Sequence, residues 1–208
     1  MPSGRVLLLG DSIIDNGAYV QKNEPGVARQ LQELLPEHTV EKRAFDGSVT
    51  KDVTNAQTHD IESDDLAVIS SGGNDALSHL SLLEADLRAI ELMEALWSAR
   101  EAFRFDYVAL LSAVTSKTPG VLVLTIYNPN FQHSGQDVSY QRAAECGVAL
   151  FNDVIQHEAL RRGRSVLELR SFFEAPADYA NPIEPSASGG AKLADRIRPW
   201  VNDRPSQW

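Results

Sequence analysis

The sequence predicts an α/β protein: a parallel β-sheet covered by helices on both faces, a three-layer α/β/α arrangement. Three observations lead there. Short apolar runs such as Val6–Leu9, Leu66–Ile69 and Val121–Ile126 have the length and character of strands buried on both faces. They alternate with longer stretches whose apolar residues recur three and four apart, the period of an amphipathic helix. Glycine and small polar residues follow each run, where a strand would hand over to a loop.

Taken in order, Arg5 to Gly10 is the first strand, ended by its glycine. Val27, Leu31, Leu34 and Leu35 fall on one helical face, which Pro36 closes. Thr39 to Ala44 alternates apolar and charged residues, as a half-exposed edge strand does. Leu66 to Ile69 is the third strand, leading into Ser70-Ser71-Gly72-Gly73. A helical stretch is expected from about Leu82 to Ser116, broken near Arg100 to Asp106. Pro119 and Gly120 precede the strand Val121 to Ile126. Ala144, Val148, Phe151 and Ile155 mark a further helix, capped by Gly163 after two arginines. Val166 to Leu169 is the last strand and Gly190 to Val201 the closing helix. The βα alternation, repeated five times, favours a parallel sheet. No repeat, low-complexity tract or linker interrupts it, so residues 1–208 read as one domain.

Composition narrows the function. With 43% hydrophobic and 23% charged residues the chain has the profile of an ordinary globular protein. Its 29 acidic against 19 basic residues give a formal net charge of −10, which would repel a polyanion, so nucleic acid is not an expected partner. No apolar stretch approaches the roughly 20 residues of a membrane span, and the N-terminal apolar run is too short for a secretory signal. A cytoplasmic protein without membrane contact is the expectation. The one cysteine, Cys146, excludes an intrachain disulfide, and its place in a helical stretch suggests a buried, inert thiol. Metal-ligand spacings and a dinucleotide fingerprint are both missing, so no cofactor or metal is expected.

In a parallel sheet, ligands bind beyond the carboxyl ends of the strands. Four polar clusters fall there or before the last helix: Gly10-Asp11-Ser12, Asp46-Gly47-Ser48, Gly72-Gly73-Asn74-Asp75, and Asn181-Pro182-Ile183-Glu184-Pro185-Ser186. Each has an ordinary structural reading. Ser12 and Asp75 are suited to helix capping, Gly47 to a turn, and Asp11 to bonding local backbone amides.

Their order and placement resemble the SGNH/GDSL esterase superfamily. Gly10-Asp11-Ser12 is similar to its first block, Gly47 stands where its second-block glycine belongs, and Gly72-x-Asn74-Asp75 matches its third. The resemblance implies a flavodoxin-like sheet of five parallel strands in the order 2-1-3-4-5 and a small-molecule ester or acyl substrate. It further implies Ser12 as nucleophile, with the backbone N–H groups of Ser12 and Gly47 and the Asn74 amide forming an oxyanion hole.

The fourth block departs from the family pattern. Asn181 and Glu184 stand where the family has an aspartate and, three residues later, a histidine base. The change is coherent. A histidine base wants a carboxylate beside it, whereas a glutamate base would be disturbed by one and is better oriented by an amide N–H. Three readings follow. Glu184 is the base, oriented by Asn181; or a histidine from another loop enters, His133 first and His79 next; or the chain binds an ester or acyl ligand with little or no turnover. His38, His59 and His157 read as surface residues.

Overall fold

A computed structural model describes residues 4–203. Five strands form one parallel sheet in the order β2-β1-β3-β4-β5: β1 Arg5–Gly10, β2 Thr39–Lys42, β3 Leu66–Ser70, β4 Gly120–Leu124 and β5 Ser165–Leu167. The helices are α1 Val27–Leu34, α2 Thr50–Gln57, α3 Gly73–Leu77, α4 Ala89–Thr115, α5 Val138–Arg161 and α6 Ala187–Asn202. The expected architecture and strand order are both present.

Strand alternation divides the core in two. Leu7, Leu9, Ala67, Ile69, Val121 and Val123 face α2, α4 and α5. Val6, Leu8, Val68, Leu122 and Leu124 face α1 and α6. Successive side chains of a strand point to opposite sides, so a continuous apolar run requires helices on both.

Several expectations need correction. The break near Arg100 to Asp106 does not occur. α4 runs unbroken, because Ala99, Phe103, Tyr107, Leu110, Leu111 and Val114 keep one buried face through that region. The charges there sit on the flank and are paired: Arg100 with Glu101 and Asp153, Arg104 with Glu158. The helix also begins at Ala89, and Leu82 lies in a separate 3-10 turn, Leu80–Leu83. Cys146 is exposed instead of buried. Lying two residues beyond buried Ala144 and two before buried Val148, it falls on the opposite side of α5. Helix α2 went unanticipated, since its buried positions are Thr50, Val53 and Gln57, only one of them apolar. Leu169 belongs to a 3-10 turn beyond β5, and α6 starts at Ala187, where the Ser186 hydroxyl accepts the Gly189 N–H.

Main-chain groups just past a buried strand have no ladder partner and must find one elsewhere. At the end of β4 this partner is Asn152 of α5, whose side chain accepts the Ile126 N–H and donates to the Ile126 carbonyl, each at 2.7 Å. Asn152→Ala leaves both groups buried and unpaired, and a loss of about 3 kcal/mol in unfolding free energy is expected. Urea denaturation measures it; a loss below about 1 kcal/mol would mean that the clamp is dispensable.

Candidate active site

Ser12 follows β1 by two residues, and its place is set by what holds Gly10. The Gln57 side chain accepts the Gly10 N–H at 2.7 Å and donates to the Gly10 carbonyl at 2.9 Å. Gly10 adopts φ +142°, and a Cβ there would stand 1.9 Å from the Ser70 carbonyl oxygen, so glycine is required where β1 passes β3. Asp11 then closes a turn: its carbonyl accepts the N–H of Ile14 and Asp15, and its carboxylate accepts the Ile13 N–H at 3.2 Å and the Ser70 hydroxyl at 3.1 Å.

The second and third clusters are joined to each other. Asn74, in the first turn of α3, donates from Nδ2 to the Ser48 carbonyl at 3.0 Å. The neighbouring Asp75 Oδ2 accepts from the Thr50 N–H at 3.0 Å and the Thr50 hydroxyl at 2.9 Å. Asp46 accepts from Tyr19 at 2.7 Å, and the Asp46 N–H donates to Asp15 at 3.1 Å. Gly47 lies in the turn these bonds define, at φ +81°. Neither the Ser12 N–H nor the Gly47 N–H donates to a protein acceptor among the described residues.

The fourth cluster brings Glu184 into the site by its backbone. Asn181 Oδ1 accepts the N–H of Ile183 and of Glu184, both at 3.0 Å. This differs from the expected amide donation to the carboxylate: Asn181 shapes the turn that carries Glu184. The Tyr127 hydroxyl donates to the Ile183 carbonyl at 2.6 Å, and Asn16 Nδ2 donates to the Pro185 carbonyl at 3.3 Å. Asn16 also accepts the Val27 N–H at 2.9 Å. It is fully buried and links the Ser12 loop to the Glu184 loop.

Asp11, Ser12, Asn74, His79 and Glu184 line one cleft that is open to solvent. Gly47 is exposed and lies outside that lining. His133 is exposed in the 3-10 turn Phe131–Ser134, of which only Phe131 reaches the cleft, so that candidate does not enter. His79 does line it, with its ring 6.4 Å from that of Phe151. Gln57 and Tyr127 escaped the sequence reading because single polar residues inside helical or apolar stretches carry no motif. Among the described residues no group of three His, Cys, Asp or Glu side chains is arranged to hold a metal ion.

The site is electrostatically unusual. Burial pushes the Glu184 carboxyl up to about 7, against a hydrogen bond from the Ser12 side chain and with help from the charge of Asp46. Burial also pushes Asp11 to about 7, opposed by its bonds to Ile13 and Ser70 and reinforced by Glu184 and Asp75. One oxygen of each carboxylate, Oδ2 of Asp11 and Oε2 of Glu184, is buried without a hydrogen-bond partner among the described residues. Burial raises Tyr127 as well, and the charge of Glu184 adds to it.

The profile of the GDSL-like lipase/acylhydrolase family matches residues 8–192. The chain belongs to this family. Solved structures share the fold at low identity. A phospholipase A1 from Streptomyces albidoflavus is 20% identical at a TM-score of 0.69, over 98% of this chain and 100% of its own. An extracellular lipase from Streptomyces rimosus is 18% identical at a TM-score of 0.72, with the same coverage of 98% and 100%. A catalytic mutant of an acetylxylan esterase from Geobacillus stearothermophilus is 17% identical at a TM-score of 0.67, over 100% of both chains. No curated protein matches the sequence significantly. Membership in the GDSL-like family supports ester hydrolysis in general, and no helix is long and apolar enough to cross a membrane among the described residues.

Because Asp11 and Glu184 hold protons more tightly folded than unfolded, the native state binds the excess protons between about pH 4 and pH 7, and their contribution to stability falls as pH rises through that window. Burial works to raise Asp65, Glu158 and Glu168 too, but bonds and charge from Arg5, Arg162 and Arg170 hold them low, so their contribution is lost only on acidification below about pH 4. Asp11→Asn is therefore expected to flatten the fall in the urea midpoint from about pH 5 to about pH 8. Parallel pH profiles for variant and wild type would contradict the assignment.

Proposed function

We propose that this chain hydrolyses carboxylic esters through an acyl-serine intermediate on Ser12, with Glu184 as general base. One observation carries the reading: Glu184, a buried carboxyl pushed up to about 7, lines the same cleft as the Ser12 hydroxyl. At its ordinary value near 4.3 a glutamate would be a poor base for a serine hydroxyl; near neutrality it is matched to the task.

In the proposed cycle Glu184 takes the Ser12 proton as Oγ bonds to the ester carbonyl carbon. The carbonyl electron pair moves onto oxygen, where the N–H groups of Ser12 and Gly47 and an Asn74 amide N–H stabilise the developing charge. Collapse re-forms the carbonyl and breaks the bond to the alkoxy group, which leaves with the proton from Glu184. Glu184 then deprotonates a water that attacks the acyl-serine, and the proton returns to Ser12 Oγ as the acid departs. Asn74 is suited to its part because one amide hydrogen anchors on Ser48 while the other remains to donate. Asn181, Tyr127 and Asn16 act as positioning residues through the backbone of residues 183–185.

A fluorophosphonate probe is expected to label wild type and to leave Ser12→Ala unlabelled; equal labelling of both removes Ser12 from the mechanism. With a short-chain p-nitrophenyl ester, kcat/KM should rise with pH along a single limb centred near 7, since Glu184 must be ionised to act. Glu184→Gln should cost about 10²–10⁴-fold and abolish that limb. His79→Ala should cost much less; the reverse ranking would transfer the base to His79. Absence of Ser12-dependent turnover across acyl and acetyl-sugar esters would leave a binding protein instead.

A further inference from the structure

We infer that the cleft beside Ser12 is an acyl-chain compartment kept open by Gly147, and that the preferred substrates are esters of medium-chain aliphatic acids, not acetates. The inference rests on the proposed ester hydrolysis and adds the class of acid and a residue that selects it.

Apart from its polar end, the cleft wall is hydrocarbon. Leu77, Leu80 and Leu83 line it from α3 and the turn that follows, and Leu96 of α4 joins them. Across from the sheet end, Val148 and Phe151 of α5 contribute, together with Ile126. An acetyl group is too small to remove such a wall from water, whereas each added methylene buried there strengthens binding about fourfold. Apart from His79 beside Phe151, the polar side chains are few and gathered toward the nucleophile, so the wall supplies few hydrogen-bond partners for the hydroxyls of a sugar.

Gly147 sits in the interior of a 24-residue helix, where glycine is disfavoured. It shares one face with Ala143 and Phe151, four residues to either side, and all three line the cleft. A Cβ built at Gly147 would meet nothing within 4 Å. Packing within the protein therefore does not demand glycine at this position. Its missing side chain leaves space in the cleft, and a larger residue would project into that space.

The test is a chain-length series. Acetyl, butyryl and octanoyl p-nitrophenyl esters are compared on wild type and Gly147→Leu by kcat/KM, with circular dichroism and melting temperature to verify folding. Wild type should favour octanoyl over acetyl by about tenfold or more, and Gly147→Leu should cut that ratio by about tenfold. Should Gly147→Leu melt far below wild type, Gly147→Ala, which strengthens the helix, is expected to give a smaller cut of the same sign. A wild-type preference for acetyl overturns the inference, as does an unchanged ratio in a properly folded variant. Calorimetry with octanoate on Ser12→Ala separates this from the catalytic reading. If no ester turns over yet octanoate binds and Gly147→Leu weakens it, catalysis fails and the compartment stands; if octanoate does not bind, the compartment fails whatever the activity.

Discussion

The side chain of Gln57 occupies both main-chain groups of Gly10, and the rest of the site depends on that pair of hydrogen bonds. A parallel sheet ends in a row of peptide groups that have lost their ladder partners, and inside a protein each must be satisfied. Here buried carboxamides do it. Gln57 takes the end of β1, Asn152 takes Ile126, two residues beyond β4, and Asn16 ties the loop after β1 to the loop before α6. An amide offers donor and acceptor in one plane and carries no charge, so it can replace a neighbouring strand at a single residue. The rim is held by these clamps, not by the loops that cross it.

Charge in the molecule follows the same economy of partners. Glu158 and Glu184 are both buried carboxylates. Arg104, Arg161 and Arg162 surround Glu158 and keep it ionised, a structural ion cluster between α4 and the end of α5. Glu184 has no lysine or arginine within ion-pair reach among the described residues, and Asp46 adds a like charge. Desolvation therefore wins at one and loses at the other, although both are glutamates out of water. The difference separates a carboxylate that holds structure from one whose proton is available near neutral pH.

How much of this could be read beforehand follows the same physics. Strands buried on both faces must be apolar throughout, so Val6–Leu9, Leu66–Ile69 and Val121–Leu124 stood out in the sequence. Chain direction in a parallel sheet brings every polar cluster after a strand to one rim, so Ser12 and Asn74 could be placed together before any coordinates. What escaped was whatever depended on a single polar side chain. Helix α2 buries Gln57 and Thr50 for their hydrogen bonds, and an apolar-period search passes over it. The expected break near Arg100 does not occur because the buried face of α4 continues through it while the charges there lie on the flank and pair. Asn181 was foreseen as a partner for Glu184, but it acts through the backbone, since an Asx turn engages the amides of the next residues before any side chain can compete.

The apolar cleft and the raised carboxylate are consequences of one surface. Ile183 and Tyr127, which flank Glu184, also line the space into which the leucines of the α3 side project. Water withheld from that surface is withheld from Glu184, and a proton is held more tightly for that reason alone. On the proposed reading an apolar acyl group in the cleft would strip away the remaining solvent at the moment the base is needed, deepening its basicity while the nearby Ser12 side chain favours the ionised form. An acetyl group would leave the wall wet and the base weaker. Acyl-chain preference and the replacement of the usual histidine by a glutamate are then linked: a carboxylate base gains from a hydrocarbon substrate in a way an imidazole does not, because desolvation raises the basicity of an acid and lowers that of a cationic conjugate.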